Sequence, residues 1–139
     1  MVQRRGPGGL FISLVLGLPL ALSACGEGAA PASSTPTVDP IAVAKAQYCR
    51  DISNFNAQTQ AAVNANDPTK EVAVILQFAP RFYADGKAYE AAGDSATGGA
   101  LIAFSSDLEA IGRIANTGGD PTNAEHSVAA DVTRLPKCP

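Results

Sequence analysis

The dipeptide Asp-Pro occurs three times in this chain, at Asp39-Pro40, Asp67-Pro68 and Asp120-Pro121. Asp accepts hydrogen bonds from the free amides of a first helical turn, and Pro suits the first helical position because its missing N–H would be unpaired there. Gly93-Asp94-Ser95 adds a fourth boundary, where Gly ends one helix and a polar residue opens the next. These four starts predict four helices.

Apolar residues at helical spacing follow each start. We expect helices over about 40–64 and 68–92, a third that stops at Gly118-Gly119 and a fourth that ends before Pro136. Pro80 should kink the second helix or split it near Phe78. The predicted apolar stripes are Ile41, Ala44, Tyr48, Ile52, Phe55 and Ala62; Val72, Ile75, Leu76, Ala79, Phe82, Tyr83 and Tyr89; Leu101, Phe104, Leu108, Ile111 and Ala115; and Ala124, Val128, Val132 and Leu135.

The predicted fold class is all-α. No segment alternates apolar and polar residues for long with β-branched side chains, so a sheet is not expected. Four amphipathic helices joined by short turns favour a small up-down-up-down bundle. In that topology the end of the fourth helix lies near the start of the first.

The N-terminal segment has the three parts of a secretory signal peptide: a basic start, an apolar stretch and small residues at a cleavage site. Arg4 and Arg5 precede an apolar run over 10–22, which is shorter than the roughly 20 residues that span a bilayer. The string Leu22-Ser23-Ala24-Cys25 follows. An uncleaved anchor or a buried N-terminal helix is the alternative, but neither explains the Cys.

Leu22-Ser23-Ala24-Cys25 resembles the lipobox of bacterial lipoproteins, in which Leu and two small residues precede the lipidated Cys. The resemblance implies that the Cys25 thiol receives a diacylglyceryl group, that the chain is cut before it, and that the new amine is acylated, for example with palmitate. It also implies anchorage at the extracytoplasmic face of a cell membrane. The whole chain is similar to small Ala-rich lipoproteins of actinobacteria, many of which have no assigned activity.

Three segments follow from these features. Residues 1–24 are the expected signal peptide, and residues 25–39 are the lipidated Cys and a flexible linker. The linker contains mostly Gly, Ala, Pro, Ser and Thr, and buries too little apolar surface to offset its ordering entropy. Residues 40–139 form the helical domain, which is long enough for one thin core.

The cysteine count predicts one disulfide. With Cys25 lipidated, Cys49 and Cys138 remain as a pair in an oxidising compartment. Their bond would close a loop of about 90 residues, worth about 4–5 kcal/mol in the chain-entropy model. The alternatives are two free thiols or a metal site, although the sequence has no CxxC motif or His cluster to support metal binding.

The charge balance argues against nucleic acid as a partner. Removal of Arg4 and Arg5 with the leader lowers the basic residues from 10 to 8, against 13 acidic residues, a net charge of −5. The sequence has no basic stripe to neutralise phosphates. Membrane attachment is therefore expected through the lipid anchor and not through surface charge.

Candidate ligand residues are few. His126 is the single histidine, and Tyr83 and Tyr89 could ligate haem iron as phenolates. The ordinary interpretation is a solvated or edge His and two tyrosines at the core or its rim. The chain is loosely similar to small exported haem-binding helical proteins of actinobacteria, without a residue-by-residue match of a ligand motif. An apolar ligand would lie between the helices near Phe78, Phe82 and Tyr83.

No catalytic constellation is recognisable. Asp85 and Glu90, or Asp107 and Glu109, are not spaced to meet on one helical face, so the carboxylates are expected to form a solvated acidic surface. Gly98-Gly99 has no following Lys-Ser/Thr and is no P-loop; it softens a helix start or lets two helices approach closely.

Three functional hypotheses follow, and the first is favoured. It is a non-catalytic, lipid-anchored cell-envelope protein whose helical domain binds an unknown partner or has a structural role, without a metal or cofactor. The alternative is a carrier of haem or another apolar small molecule in the bundle core. An enzyme is the least favoured, because no nucleophile–base pair or metal cluster is apparent.

Overall fold

The computed structural model describes residues 37–139. The expected signal peptide, the lipidation site Cys25 and most of the expected linker lie outside this range. The described part contains four helices: α1 (Pro40–Asn64), α2 (Pro68–Ala91), α3 (Ser95–Asn116) and α4 (Thr122–Val132). The prediction of a small all-α bundle is confirmed. None of these helices is both long and apolar enough to cross a bilayer.

The predicted Asp caps define the helix starts. Asp39 accepts a hydrogen bond from the Ile41 amide, Asp67 from the Lys70 amide and Asp94 from the Thr97 amide. At the fourth start the helix begins one residue later than expected, at Thr122, and Pro121 occupies the cap position. Asp120 still accepts from the Thr122 amide, so its side chain satisfies a free donor as predicted.

The three turns between helices end their preceding helices in the same way. Asn66, Gly93 and Gly118 each have a positive φ, of 51°, 94° and 74°. In each turn the residue after the positive-φ residue donates its amide to a carbonyl five positions back, as in Asp67 to Ala62. This Schellman arrangement satisfies carbonyls that the helix end would leave free. The first two turns have three residues each, which places consecutive helices side by side.

α2 is the central helix: it packs against α1 on one side and against α3 on the other, while α4 packs on α3. The backbones of α2 and α3 come together at Gly86 and Gly98. A Cβ on Gly98 would lie 2.7 Å from the Gly86 carbonyl oxygen, and a Cβ on Gly86 would lie 2.8 Å from the Gly98 oxygen. The predicted close approach at Gly98 is confirmed, and only glycine fits on both sides.

Pro80 does not split α2, which is helical throughout Pro68–Ala91. Proline removes one backbone donor from a helix interior. Next to it, the Ser105 hydroxyl of α3 donates a buried hydrogen bond of 2.7 Å to the Ala79 carbonyl. This hydrogen bond connects α3 to α2 beside the proline.

The apolar stripes were mostly predicted correctly, with shifts on α2. Val74 and Phe78 lie in the core, whereas Leu76 and Tyr83 are exposed. Ile41 at the start of α1 is also exposed. The buried residues of the core are Ala44, Tyr48, Phe55, Val74, Ile75, Phe78, Ala79, Phe82, Tyr89, Leu101, Phe104, Leu108, Ile111 and Val128.

The C-terminal segment, and not α4, connects the last part of the chain to α1. Within residues 37–139, the backbones of α1 and α4 do not come close to each other. α4 ends at Val132, before Leu135, which was expected to belong to it. The following segment carries Cys138 to Cys49, and the predicted disulfide is present with a Cα–Cα distance of 5.5 Å.

Candidate functional site

The structure brings together three of the five predicted ligand residues. Phe78, Phe82 and Tyr89 belong to the buried core. Tyr83 is 49% exposed, and His126 is exposed on α4. Tyr83 lies outside the buried face because that face runs through Phe82, Asp85 and Tyr89, one helical step to the side.

Aromatic rings fill the region where an apolar ligand was predicted. Phe82 is at the centre, and its ring centroid lies 5.2 Å from that of Phe104, 5.6 Å from Phe55, 6.2 Å from Phe78 and 6.3 Å from Tyr48. These separations are those of rings in direct contact. Phe78 and Phe82 therefore have aromatic partners within the bundle itself. Haem binding stays a prediction.

An open groove between α1 and α2 is a different candidate. It has a volume of about 420 Å³, and polar side chains line it together with two small apolar ones. Residues one helical turn apart on each helix, such as Gln47 and Asp51, contribute to it because they share a helix face. The lining residues are Gln47, Asp51, Arg81, Ala84, Asp85 and Ala88.

Asp51 is a buried carboxylate with partners. Its Oδ2 accepts a hydrogen bond of 2.7 Å from the Gln47 side-chain amide. Its Oδ1 lies 3.6 Å from Nη1 of Arg81, whose guanidinium stacks 4.9 Å from the centre of the Phe78 ring. The cation over the aromatic face and the ion pair together hold Arg81 beside the groove.

Asp85 is buried without such partners. It is 3% exposed, and its Oδ2 makes no hydrogen bond with any residue in the described range. Burial, helped by the nearby Asp51 carboxylate and opposed by Arg50, raises the pKa of Asp85 to about 6. A carboxyl group of this kind changes its charge near neutral pH.

Two tyrosines lie close to Asp85 on the core side. Burial, followed by the charges of Tyr89 and Asp85, raises the pKa of Tyr48 to about 12. The Tyr89 hydroxyl is buried and makes no hydrogen bond within residues 37–139. Both phenols are therefore neutral at physiological pH, and neither supplies a positive charge to Asp85.

Other acidic residues also lie between helices. Burial raises the pKa of Glu71, helped by Glu125, and burial raises the pKa of Asp107, helped by Asp131. Asp51, Asp85, Glu71 and Asp131 are all buried. The expectation of a wholly solvated acidic surface is therefore wrong for these four carboxylates.

A signal for the groove residues does exist in the sequence. Asp51 lies three residues after Tyr48 and four before Phe55, and Asp85 lies three after Phe82 and four before Tyr89. Both acids therefore fall on the apolar stripe of their helix, where a buried side chain is expected. Sequence reasoning missed them because it searched for pairs of carboxylates on one helix. Asp51 lies on α1 and Asp85 lies on α2.

The chemistry available at the groove is recognition of charge and hydrogen bonds. Within residues 37–139 no group of three or more His, Cys, Asp or Glu side chains is arranged to hold a metal ion.

Comparison with protein-family models, with curated proteins and with solved structures found no match for this chain.

Proposed function

We propose that this chain is a bacterial envelope lipoprotein, held at the extracytoplasmic face of a cell membrane by lipid on Cys25. The string Leu22-Ser23-Ala24-Cys25 after a short apolar run supports lipidation. The observation that carries the proposal is the Cys49–Cys138 disulfide. It uses two of the three cysteines and leaves Cys25 for lipid, and disulfides persist mainly outside the reducing cytosol.

The domain over 40–139 acts in this proposal as a non-catalytic binding module. In the same proposal, the segment between Cys25 and the helices serves as the linker that its content of Gly, Ala, Pro, Ser and Thr predicts. On α2, Leu76 and Tyr83 are exposed large side chains two helical turns apart, so both lie on the same side of the helix. Exposed aromatic and aliphatic side chains of this kind are common in contacts with partner proteins.

The anchor is tested by mass analysis of the membrane fraction from cells that produce the full chain. We expect an N-terminus at Cys25 carrying a diacylglyceryl thioether and an amide-linked fatty acid. A Cys25→Ser variant should lack lipid and leave the membrane fraction. A variant with Cys49→Ser and Cys138→Ser should keep its lipid, as the matched control. An unmodified Cys25, or residues 1–24 still attached, would refute the anchor.

The binding role is tested by photo-crosslinking in intact cells. A photoreactive residue at Tyr83 should capture a defined partner, whereas the same residue at Glu109, on the exposed side of α3, should not. Capture should weaken in a Leu76→Ser variant, since Leu76 lies on the same exposed side of α2 as Tyr83. Equal capture from both positions would argue against a specific binding surface on α2.

A further inference from the structure

The groove between α1 and α2 contains one carboxylate, Asp85, whose negative charge Arg50 offsets only in part. Arg81 pairs with Asp51, so the charges of these two groups cancel locally. No ion pair within residues 37–139 includes Asp85. Burial of an unpaired carboxylate is costly unless it is neutralised or gains a partner.

We propose that the groove binds the primary ammonium group of a short alkylamine, with Asp85 as its ionic partner. An ammonium ion carries one positive charge and three N–H donors. It would balance the negative charge of Asp85, which lines the groove. Gln47 and Asp51 line the same groove. Their side-chain oxygens accept from Arg50 and from Gln47, and each has further lone pairs for the remaining donors.

The walls of the groove suit the alkyl part of such a ligand. Ala84 and Ala88 lie one turn apart on α2 and present only methyl groups. The volume of about 420 Å³ falls in the ordinary range for small-ligand sites, about 300–1,000 Å³. A short aliphatic chain can therefore lie against the alanines while its charged end contacts the carboxylates.

Arg81 and Arg50 do not make the groove a site for anions. Arg81 is held by Asp51 and by the face of Phe78. Arg50 is exposed and donates to the Gln47 side-chain oxygen at 2.7 Å, not to Asp85. An anion would also meet two buried carboxylates, which repel it.

The proposal implies a pH dependence for binding. The pKa of Asp85 is raised to about 6, mainly by burial, so the carboxylate that attracts the ligand forms as the pH rises through that value. The charged and titratable groups around Asp85 are Asp51, Arg50 and Arg81 in and beside the groove, and Tyr48 and Tyr89 on the core side. The tyrosines are neutral throughout this range, since burial raises the pKa of each above its ordinary value near 10.

The test uses the mature chain purified in detergent, with binding followed by calorimetry and by the NMR signal of the Asp85 carboxyl carbon. The probes are n-butylammonium, its neutral analogue n-butanol, and the blocked amino acid Nα-acetyl-lysine amide. At about pH 8, where Asp85 is ionised, n-butylammonium should bind at least about tenfold more tightly than n-butanol. It should bind more weakly at about pH 5, and it should lower the pH at which the Asp85 signal titrates.

Three variants separate the groove from general charge effects. Asp85→Asn should weaken n-butylammonium binding at least about tenfold. Ala88→Leu fills the groove and should weaken it similarly while the Asp85 signal still titrates. If the Ala88→Leu variant does not fold, the Ala84→Leu variant serves the same purpose. Asp131→Asn is the matched control, because Asp131 is also buried with an unpartnered Oδ2 but does not line the groove, and its affinity should be unchanged.

The outcomes decide the proposal. Tighter binding of the blocked lysine than of n-butylammonium would assign the groove to a lysine side chain of a partner, and the reverse would assign it to a free amine. Equal binding of n-butanol, no loss in Asp85→Asn, or no binding at millimolar concentration would overturn the proposal. It goes beyond the envelope role and is independent of it, since lipid on Cys25 and ammonium binding are measured separately.

Discussion

Two glycines allow a close contact between α2 and α3. At the crossing of α2 and α3, each of Gly86 and Gly98 occupies the space that a Cβ of the other would need. The neighbouring Gly99 faces open space: apart from its chain neighbours and the backbone of its own helix, no heavy atom of the described chain lies within 4 Å of an added Cβ. Of these two adjacent glycines, Gly98 has no room for a side chain and Gly99 has room for one.

This difference predicts opposite effects of the same substitution. Gly98→Ala forces a methyl group against backbone and should lower the free energy of unfolding by about 1–3 kcal/mol. Gly99→Ala should raise it by about 0.5–1 kcal/mol, since alanine loses less backbone entropy in a helix. Urea denaturation of both variants measures the effects. Equal midpoints for the two variants would contradict the close approach.

The buried Asp85 carboxyl should make the stability of the domain depend on pH. Its raised pKa, about 6 against an ordinary value near 4, means that ionisation is harder in the folded state. The stability associated with the protonated group is therefore complete below about pH 4 and is lost as the pH rises through about 6. Asp85→Asn should stabilise the domain by about 1–2 kcal/mol at pH 8 and have little effect near pH 4.

Denaturation at both pH values measures the Asp85→Asn effect. Glu109→Gln serves as its control, because Glu109 is half exposed and pairs with Arg113 on the surface. Its effect should stay within about 0.5 kcal/mol at either pH. A gain in Asp85→Asn that does not depend on pH would show that the carboxyl is not the titrating group.

At the level of helices, the sequence predicted where each helix begins and ends better than it predicted which side of the helix is buried. Asp caps and turn residues act within a few positions of the chain, so Asp67 and Gly93 could be interpreted without knowledge of the packing. The exposure of Tyr83 depends instead on how far α2 is rotated about its axis against α1 and α3. The groove was not predictable for the same reason, since Asp51 and Asp85 meet only when two helices dock.

The turn between α2 and α3 offers a test of the Schellman arrangement that ends the first three helices. Gly93 has a φ of 94°, which an alanine adopts at a cost of about 1–2 kcal/mol. Gly93→Ala should therefore lower the free energy of unfolding by about that amount. Gly93→Asn should cost less, because asparagine tolerates this region, as Asn66 does in the preceding turn. Thermal unfolding of the two variants measures the difference. Equal losses of stability in Gly93→Ala and Gly93→Asn would contradict the role of the positive φ.

For the whole molecule, the disulfide joins parts that helix packing leaves apart. The predicted bundle and the predicted Cys49–Cys138 bond are both confirmed, but α4 packs on α3 and only the segment after it returns to α1. The contact of chain end with α1 could be predicted from the cysteines. The absence of α1–α4 packing within residues 37–139 could not, because it depends on the angles at which the helices cross.

Replacement of the disulfide should therefore have a large effect. The double variant Cys49→Ser, Cys138→Ser should lose about 4 kcal/mol, or somewhat less, since its unfolded chain is no longer constrained by a loop of 89 positions. Hydrogen exchange should show the greatest loss of protection in α4. Cys25→Ser is the control and should leave the unfolding of the helices unchanged. A double variant as stable as the native chain would contradict this role.

The molecule as a whole should be most stable in mild acid. Burial raises the pKa of Asp85, Glu71 and Asp107, so each adds stability that disappears as the pH rises above its unfolded value. Asp94 and Asp120 act in the opposite direction, because hydrogen bonds from Thr97 and Thr122 lower the pKa of these caps. Their contribution is lost in strong acid. Melting temperatures measured from about pH 3 to pH 8 should pass through a maximum below neutrality.

The position of the disulfide has a mechanical consequence. A pull between the N-terminal side of the domain and its C-terminus would run along residues 40–49, cross the two sulfurs and leave through Pro139. The chain over 50–137 forms a closed covalent loop beside that path and carries no tension while the bond is intact. Reduction would open the loop, and the same force would then act on every helix in turn.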